Sequence, residues 1–177
     1  VITFSEFSKK LVVKGLRKRK GKRVIVVSPG IDPSWFDVKR QAEGSKDLVL
    51  WGRMEEQKGI SELLRALREV TGRIPEVRLH LIGEGNMTES YRKQAKDLGV
   101  QDRVCFHGWM SINAIQEFIA QCAVGVFPSR VESFGLSMAE AMGAGLPIIA
   151  TRVGALPEFI EDGVTGTLVP PGNIPAL

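Results

Sequence analysis

The sequence predicts an α/β fold built on a doubly wound parallel sheet of six strands. Three observations predict it. From Lys46 onward, short apolar runs alternate with segments of helical periodicity. Most of those runs stop at a turn residue: Gly52, Gly83, Gly108 or Pro128. Six such runs follow one another, and strands bounded by glycine and separated by helices are βαβ units around a parallel sheet.

The elements follow in order. Asp47–Trp51 is the first strand of this series, ended by Gly52, and Ile60–Val70 is a helix with Ile60, Leu63, Leu64 and Leu67 on one face. Val77–Ile82 is a strand ended by Gly83, and Thr88–Leu98 a helix stopped by Gly99. Arg103–His107 is a strand, and Ser111 caps a helix over Ile112–Gln121. Ala123–Phe127 is a strand ended by Pro128, and Gly135–Ala144 a helix closed by Gly145. Pro147–Ala150, a short helix at Leu156–Glu161, and the strand Thr165–Val169 complete the series. With the strand order 3-2-1-4-5-6, a crevice opens between the first and fourth strands at their C-terminal ends. The loops there, Gly52–Gly59 and Pro128–Phe134, carry the most polar chemistry in the chain.

The residues before this series stand apart. Val1–Phe4, a helix over about Glu6–Arg17 and the strand Arg23–Val27 precede a turn-rich stretch, Ser28–Pro33, that reads as a hinge. The expected division is residues 1–45 as the end of a preceding domain with its linker, and 46–177 as one domain. The chain starts at Val1 within an apolar run and stops at Leu177 after a Pro-Gly turn, so it is expected to be a piece of a longer protein.

Of the 177 residues, 44% are hydrophobic and 25% charged, a soluble globular balance that excludes disordered and membrane-spanning classes. Cys105 and Cys122 have no metal-ligand spacing and read as buried thiols of a reducing compartment, so the expected location is cytoplasmic. The net charge of +4 is concentrated in Lys14–Arg23, where seven of ten residues are basic. That run is either a solvated helix end or a contact for an anionic membrane surface. It has no interleaved aromatic residue, so no nucleic-acid partner is expected.

Glu132 and Glu140 stand eight positions apart, the first in a loop and the second about one turn into the following helix. Phe134, Gly135 and Leu136 open that helix, and a helix start offers free N–H groups and a positive dipole end to phosphate. A diphosphate flanked by a sugar and a ribose fits such a segment, since each carboxylate accepts from hydroxyls; a polar loop and an ordinary surface helix are the alternative. Gly52, Arg53, Lys58 and Gly59 supply two cations on a short loop with close backbone approach at both ends. Gly83-Glu84-Gly85 lacks the third glycine of a dinucleotide fingerprint, because Thr88 stands there. His80 and His107, the only histidines, read as structural, and no nucleophile–base–acid set is visible. No Asp-x-Asp pair exists, so neither a metal nor any other cofactor is expected.

Taken together, Gly52-Arg53 with Lys58-Gly59, Phe106-His107-Gly108, Pro128-Ser129 with the two glutamates around Phe134-Gly135-Leu136, Gly143–Pro147, and Gly154 with Glu158 and Thr165-Gly166 are ordered and spaced as in a known family. Over about residues 46–172 the chain resembles the Rossmann-like C-terminal, donor-binding domain of retaining GT-B glycosyltransferases of family 4 (group 1) type. Gly154-Ala155-Leu156 departs from the Gly-Gly more usual there. The resemblance implies that Arg53 and Lys58 bind a donor diphosphate, that Glu132 sits near the donor sugar, and that Glu140 binds ribose hydroxyls. It implies that the backbone of Phe134, Gly135 and Leu136 takes phosphate, with Gly52 beside it, and that the backbone near Trp109 and Met110 meets the base. The expected function is transfer of a hexosyl group from a nucleotide diphosphate sugar to an acceptor held by a missing N-terminal domain. A non-catalytic nucleotide-binding or regulatory module is the alternative.

Overall fold

The computed structural model describes residues 1–15 and 23–177. Near the start, β1 (Ile2–Thr3) pairs in parallel with β2 (Ile25–Val26), and α1 (Glu6–Gly15) follows β1. The rest of the helix expected to reach Arg17, and most of the basic run Lys14–Arg23, lie outside the described residues. Among the described residues, no helix is long and apolar enough to cross a membrane.

The main sheet is parallel and has the expected six strands. They are β3 (Asp47–Trp51), β4 (Arg78–Ile82), β5 (Val104–Gly108), β6 (Val124–Phe127), β7 (Ile148–Thr151) and β8 (Thr167–Val169), in the order β5-β4-β3-β6-β7-β8. The crossovers include α2 (Ile60–Thr71), α3 (Thr88–Asp97), α4 (Ile112–Ile119) and α5 (Leu136–Gly143). Parallel strands need such crossovers, and covering both faces lets each strand be apolar throughout. Val49, Leu79 and Leu81 are accordingly fully buried, and α2 turns Ile60, Leu63, Leu64 and Leu67 into the same core. The direction in which strands are added to the sheet reverses between β3 and β6, which pair in parallel at Leu48↔Val124 and Val49↔Gly125. Their C-terminal ends therefore open side by side.

Several boundaries differ from the sequence expectation for local reasons. Arg103 closes a 3-10 turn, Gln101–Arg103, so β5 begins at Val104. Thr165 and Gly166 are taken up by turn hydrogen bonds to Glu161 and Gly163, which delays β8 to Thr167. The helix expected at Leu156–Glu161 is a single 3-10 turn, Leu156–Glu158. Cys105 is only half-buried, whereas Cys122 is buried and its thiol is pushed up to about 12, chiefly by desolvation. The stretch expected to be a hinge, Ser28–Pro33, leads directly into a 3-10 turn, Pro33–Asp37, capped by the Asp32 carboxylate accepting from Ser34 N–H at 2.9 Å. Trp35 in that turn is 1% exposed and stacks on Trp51 with ring centres 6.0 Å apart, so residues ahead of Lys46 share the core of the sheet.

Candidate functional site

The loops after β3 and β6 are fastened to each other. Gly59, at φ 68, passes so close to Pro128 that any Cβ there would run into the Pro128 carbonyl oxygen. Arg130 N–H donates to Gln57 O at 2.8 Å, and its guanidinium forks onto Glu62 (2.6 and 2.8 Å) and Glu56 (2.9 Å). The hydrogen bond and charge of Glu62 hold the Arg130 guanidinium above its usual range. Tyr91 adds a hydroxyl donated to Glu55 O at 3.1 Å. Two loops of different βα units thus behave as one surface.

On that surface, Lys58 Nζ lies 2.8 Å from Glu132 Oε2, with side chains 21% and 11% exposed. A Cβ on Gly52 would stand 3.8 Å from Ser137 Oγ and 4.0 Å from Lys58 Cε, so the end of β3, the cation and the first turn of α5 meet. Gly135 is the N-cap of α5 rather than its first residue, with φ 98. The helical ladder begins with Met138 and Ala139 donating to Gly135 O at 3.1 and 3.0 Å, leaving the amides of Leu136 and Ser137 at the positive end of the helix. Phe134 is half-buried and stacks on Phe159 with ring centres 5.4 Å apart.

Glu140 is positioned by a neighbour the sequence did not suggest. The Trp51 indole N–H donates to Glu140 Oε2 at 2.8 Å. Trp51 is 5% exposed, clamped between Trp35 and the edge of Phe127. A buried indole needs an acceptor, which is the signal that could have paired the last residue of a strand with a helix carboxylate. Ser137 and Arg130 were also missed; both are ordinary residues in sequence and become placed only by the pairing of β3 with β6.

The remaining expected residues lie around this centre. Arg53 points outward, 72% exposed, and pairs with Glu55 at 2.8 Å. Trp109, 75% exposed, and the half-buried Met110 follow β5, two strands from β3. Below them His80, 7% exposed, brings Nδ1 to 3.0 Å from His107 Nε2, and the Phe118 ring stands edge-on to both. Burial, and secondarily the charge of His80, holds His107 below its ordinary range. Among the described residues, no three His, Cys, Asp or Glu side chains cluster as a metal site. The arrangement can hold an anion with one cation and a helix start, and hydroxyls with two oriented carboxylates.

Known proteins are similar to this chain in sequence and in fold. The family model described as glycosyl transferases group 1 matches residues 32–177. An uncharacterized glycosyltransferase of Methanocaldococcus jannaschii is 32% identical over 164 residues, which cover 85% of this chain and 42% of that protein. A GDP-mannose-dependent alpha-(1-6)-phosphatidylinositol monomannoside mannosyltransferase of Mycolicibacterium smegmatis is 32% identical over 166 residues, covering 84% of this chain and 44% of that protein. Among solved structures, Anabaena HepE in complex with UDP and glucose superposes with a TM-score of 0.85 at 25% identity, over 99% of this chain and 50% of that one. The chain thus spans half or less of the length of these relatives, and its fold is that of GT-B glycosyltransferase structures.

Proposed function

The chain belongs to the group 1 glycosyl transferases, and from that premise we propose that it is the donor-binding half of a retaining enzyme of family 4 type. Its substrate is a nucleotide diphosphate hexose, and the acceptor is held by a further domain. The observation that carries this is the meeting of Lys58, Glu132, Gly52 and the start of α5 in the crevice where doubly wound sheets bind ligands. Relatives that use GDP-mannose or are seen with UDP support the substrate class.

Each residue takes a distinct part. Lys58, with the amides of Leu136 and Ser137, holds the diphosphate and stabilises the charge that grows on it as the glycosidic bond breaks. Arg53 swings from Glu55 to add a second cation. Glu132 accepts from sugar hydroxyls and Glu140, aimed by Trp51, from the ribose. The base lies toward the backbone of Trp109 and Met110. The cations and the helix end do the work that a metal does elsewhere, so the reaction needs no metal.

Calorimetric titration of the chain with UDP, GDP and ADP tests this. One of the three is expected to bind with a dissociation constant on the order of micromolar to millimolar, and to do so equally in EDTA. The chain alone is expected to transfer no sugar, because positioning of the acceptor and exclusion of water need the second wall of the cleft. Failure of all three nucleotides to bind overturns the assignment; binding that needs added magnesium overturns its metal-free form.

A further inference from the structure

The amino end of α1 is held by a residue far away in the chain. Four backbone donors at a helix start have no partner within the helix. Here Glu6 N–H donates to Glu158 Oε2 at 2.9 Å and Phe7 N–H to Glu158 Oε1 at 2.7 Å. Ser8 N–H donates to Ser5 Oγ at 3.1 Å, and the helical ladder begins with Lys9 N–H donating to Ser5 O at 3.0 Å, so the donors of Glu6, Phe7 and Ser8 are all held by side chains. The Ser5 hydroxyl, 2% exposed, also donates to Ser133 O at 3.0 Å.

Glu158 belongs to the segment that supports the Glu132 turn from behind. Gly154, at φ 57, is packed so tightly that a Cβ would strike the Glu132 carbonyl oxygen. Leu156 fills the space behind Gly135, and Phe159 stacks on Phe134. Residues 154–159 therefore touch the 132–135 turn on one side and α1 on the other. Ser5 closes the triangle by bonding α1's cap directly to Ser133.

We propose that Glu158 is a positioning residue: by clasping the amino end of α1 it couples the placement of α1 to that of the turn carrying Glu132 and Gly135. It rests on the function proposed above in taking that turn as part of the donor site. Movement of α1 then changes the diphosphate site without any residue of α1 touching the ligand, and an occupied site tightens the hold on α1 by the same factor.

Amide hydrogen exchange on the full chain tests the coupling without any ligand. In Glu158→Ala, exchange is expected to rise at Glu6 and Phe7 and also, about fivefold, at Met138 and Ala139, which report on the Gly135 turn. Glu158→Gln keeps one acceptor oxygen and is expected to fall between Ala and the parent; it also decides the matter if the Ala variant does not fold. Ser5→Ala is expected to reproduce the rise at Met138 and Ala139. A rise confined to α1 makes the cap a local device and overturns the proposal. In a second arm UDP is titrated into the same proteins, and an affinity loss of about fivefold in Glu158→Ala is expected. Unchanged UDP affinity in the variants overturns the coupling. Should the parent chain bind no UDP, the use of that nucleotide fails and the exchange arm still decides the role of Glu158.

Discussion

Lys58 Nζ and Glu132 Oε2 sit 2.8 Å apart although 74 residues separate them in the chain. Each neutralises the other across the junction of two loops, so an arriving diphosphate must share a cation that is already paired. Removing each partner should therefore have opposite effects on a bare diphosphate. Lys58→Ala is expected to weaken inorganic pyrophosphate roughly 10- to 100-fold, the scale of a charge-assisted hydrogen bond. Glu132→Gln is expected to strengthen it by removing a like charge. Calorimetry with pyrophosphate reads both, and equal losses in the two variants would mean that the pair acts only as a structural brace.

Trp51→Phe removes the indole donor that aims Glu140 while keeping an aromatic ring between Trp35 and Phe127. Affinity for UDP should fall severalfold, and affinity for pyrophosphate should stay level, because only the ribose end is disturbed. The smaller ring also costs stability, about 1–2 kcal/mol. If both ligands weaken to the same extent in parallel titrations, Glu140 does not serve the ribose.

Gly154→Ala places a methyl group against the Glu132 carbonyl and strains a backbone at φ 57. A loss of roughly 2–4 kcal/mol is expected, read as a lowered midpoint in urea. An unchanged midpoint would show that the Glu132 turn yields easily, against its role as a fixed part of the site.

His107 predicts a pH dependence of stability. The His107 pKa is lowered in the fold from 6.5, so the unfolded chain binds more protons in the window just below that value. The contribution is fully present above about pH 6.5 and is lost as pH falls toward the folded-state pKa. Thermal midpoints measured at pH 7.5 and 5.5 should drop for the parent and drop less for His107→Gln. Identical drops would assign the effect to other groups.

The strand series was legible because glycine and proline punctuate it; the order β5-β4-β3-β6-β7-β8 is one of those that handed βαβ connections allow, and the structure shows it. Lys58 and Glu132 were legible as charged loop residues, and Glu140 as a carboxylate about one turn into the helix that follows. Their partners were not, since Trp51, Ser137 and Arg130 have no local pattern that marks them. Trp35 fell within the residues assigned to the preceding domain and its linker, because its burial depends on Trp51 and on the space beside Gly143, which are distant in sequence. The ends of β5 and β8 shifted where turn hydrogen bonds competed with the ladder, a contest that apolar content does not record.

The adjacency of β3 and β6 also sets a schedule. During synthesis, β3 can pair with β4 and β4 with β5 while the chain is still short, but β6 joins the far side of β3 only after all three have been made. Pairings between sequence-distant strands close late and slowly. Neither the cation nor the carboxylate has its counterpart before then, so the crevice cannot capture a nucleotide on a half-made sheet. On the donor-site reading proposed above, nucleotide capture would report completed topology, and a chain ended before Val124 is expected to stay silent to any nucleotide that the finished one retains.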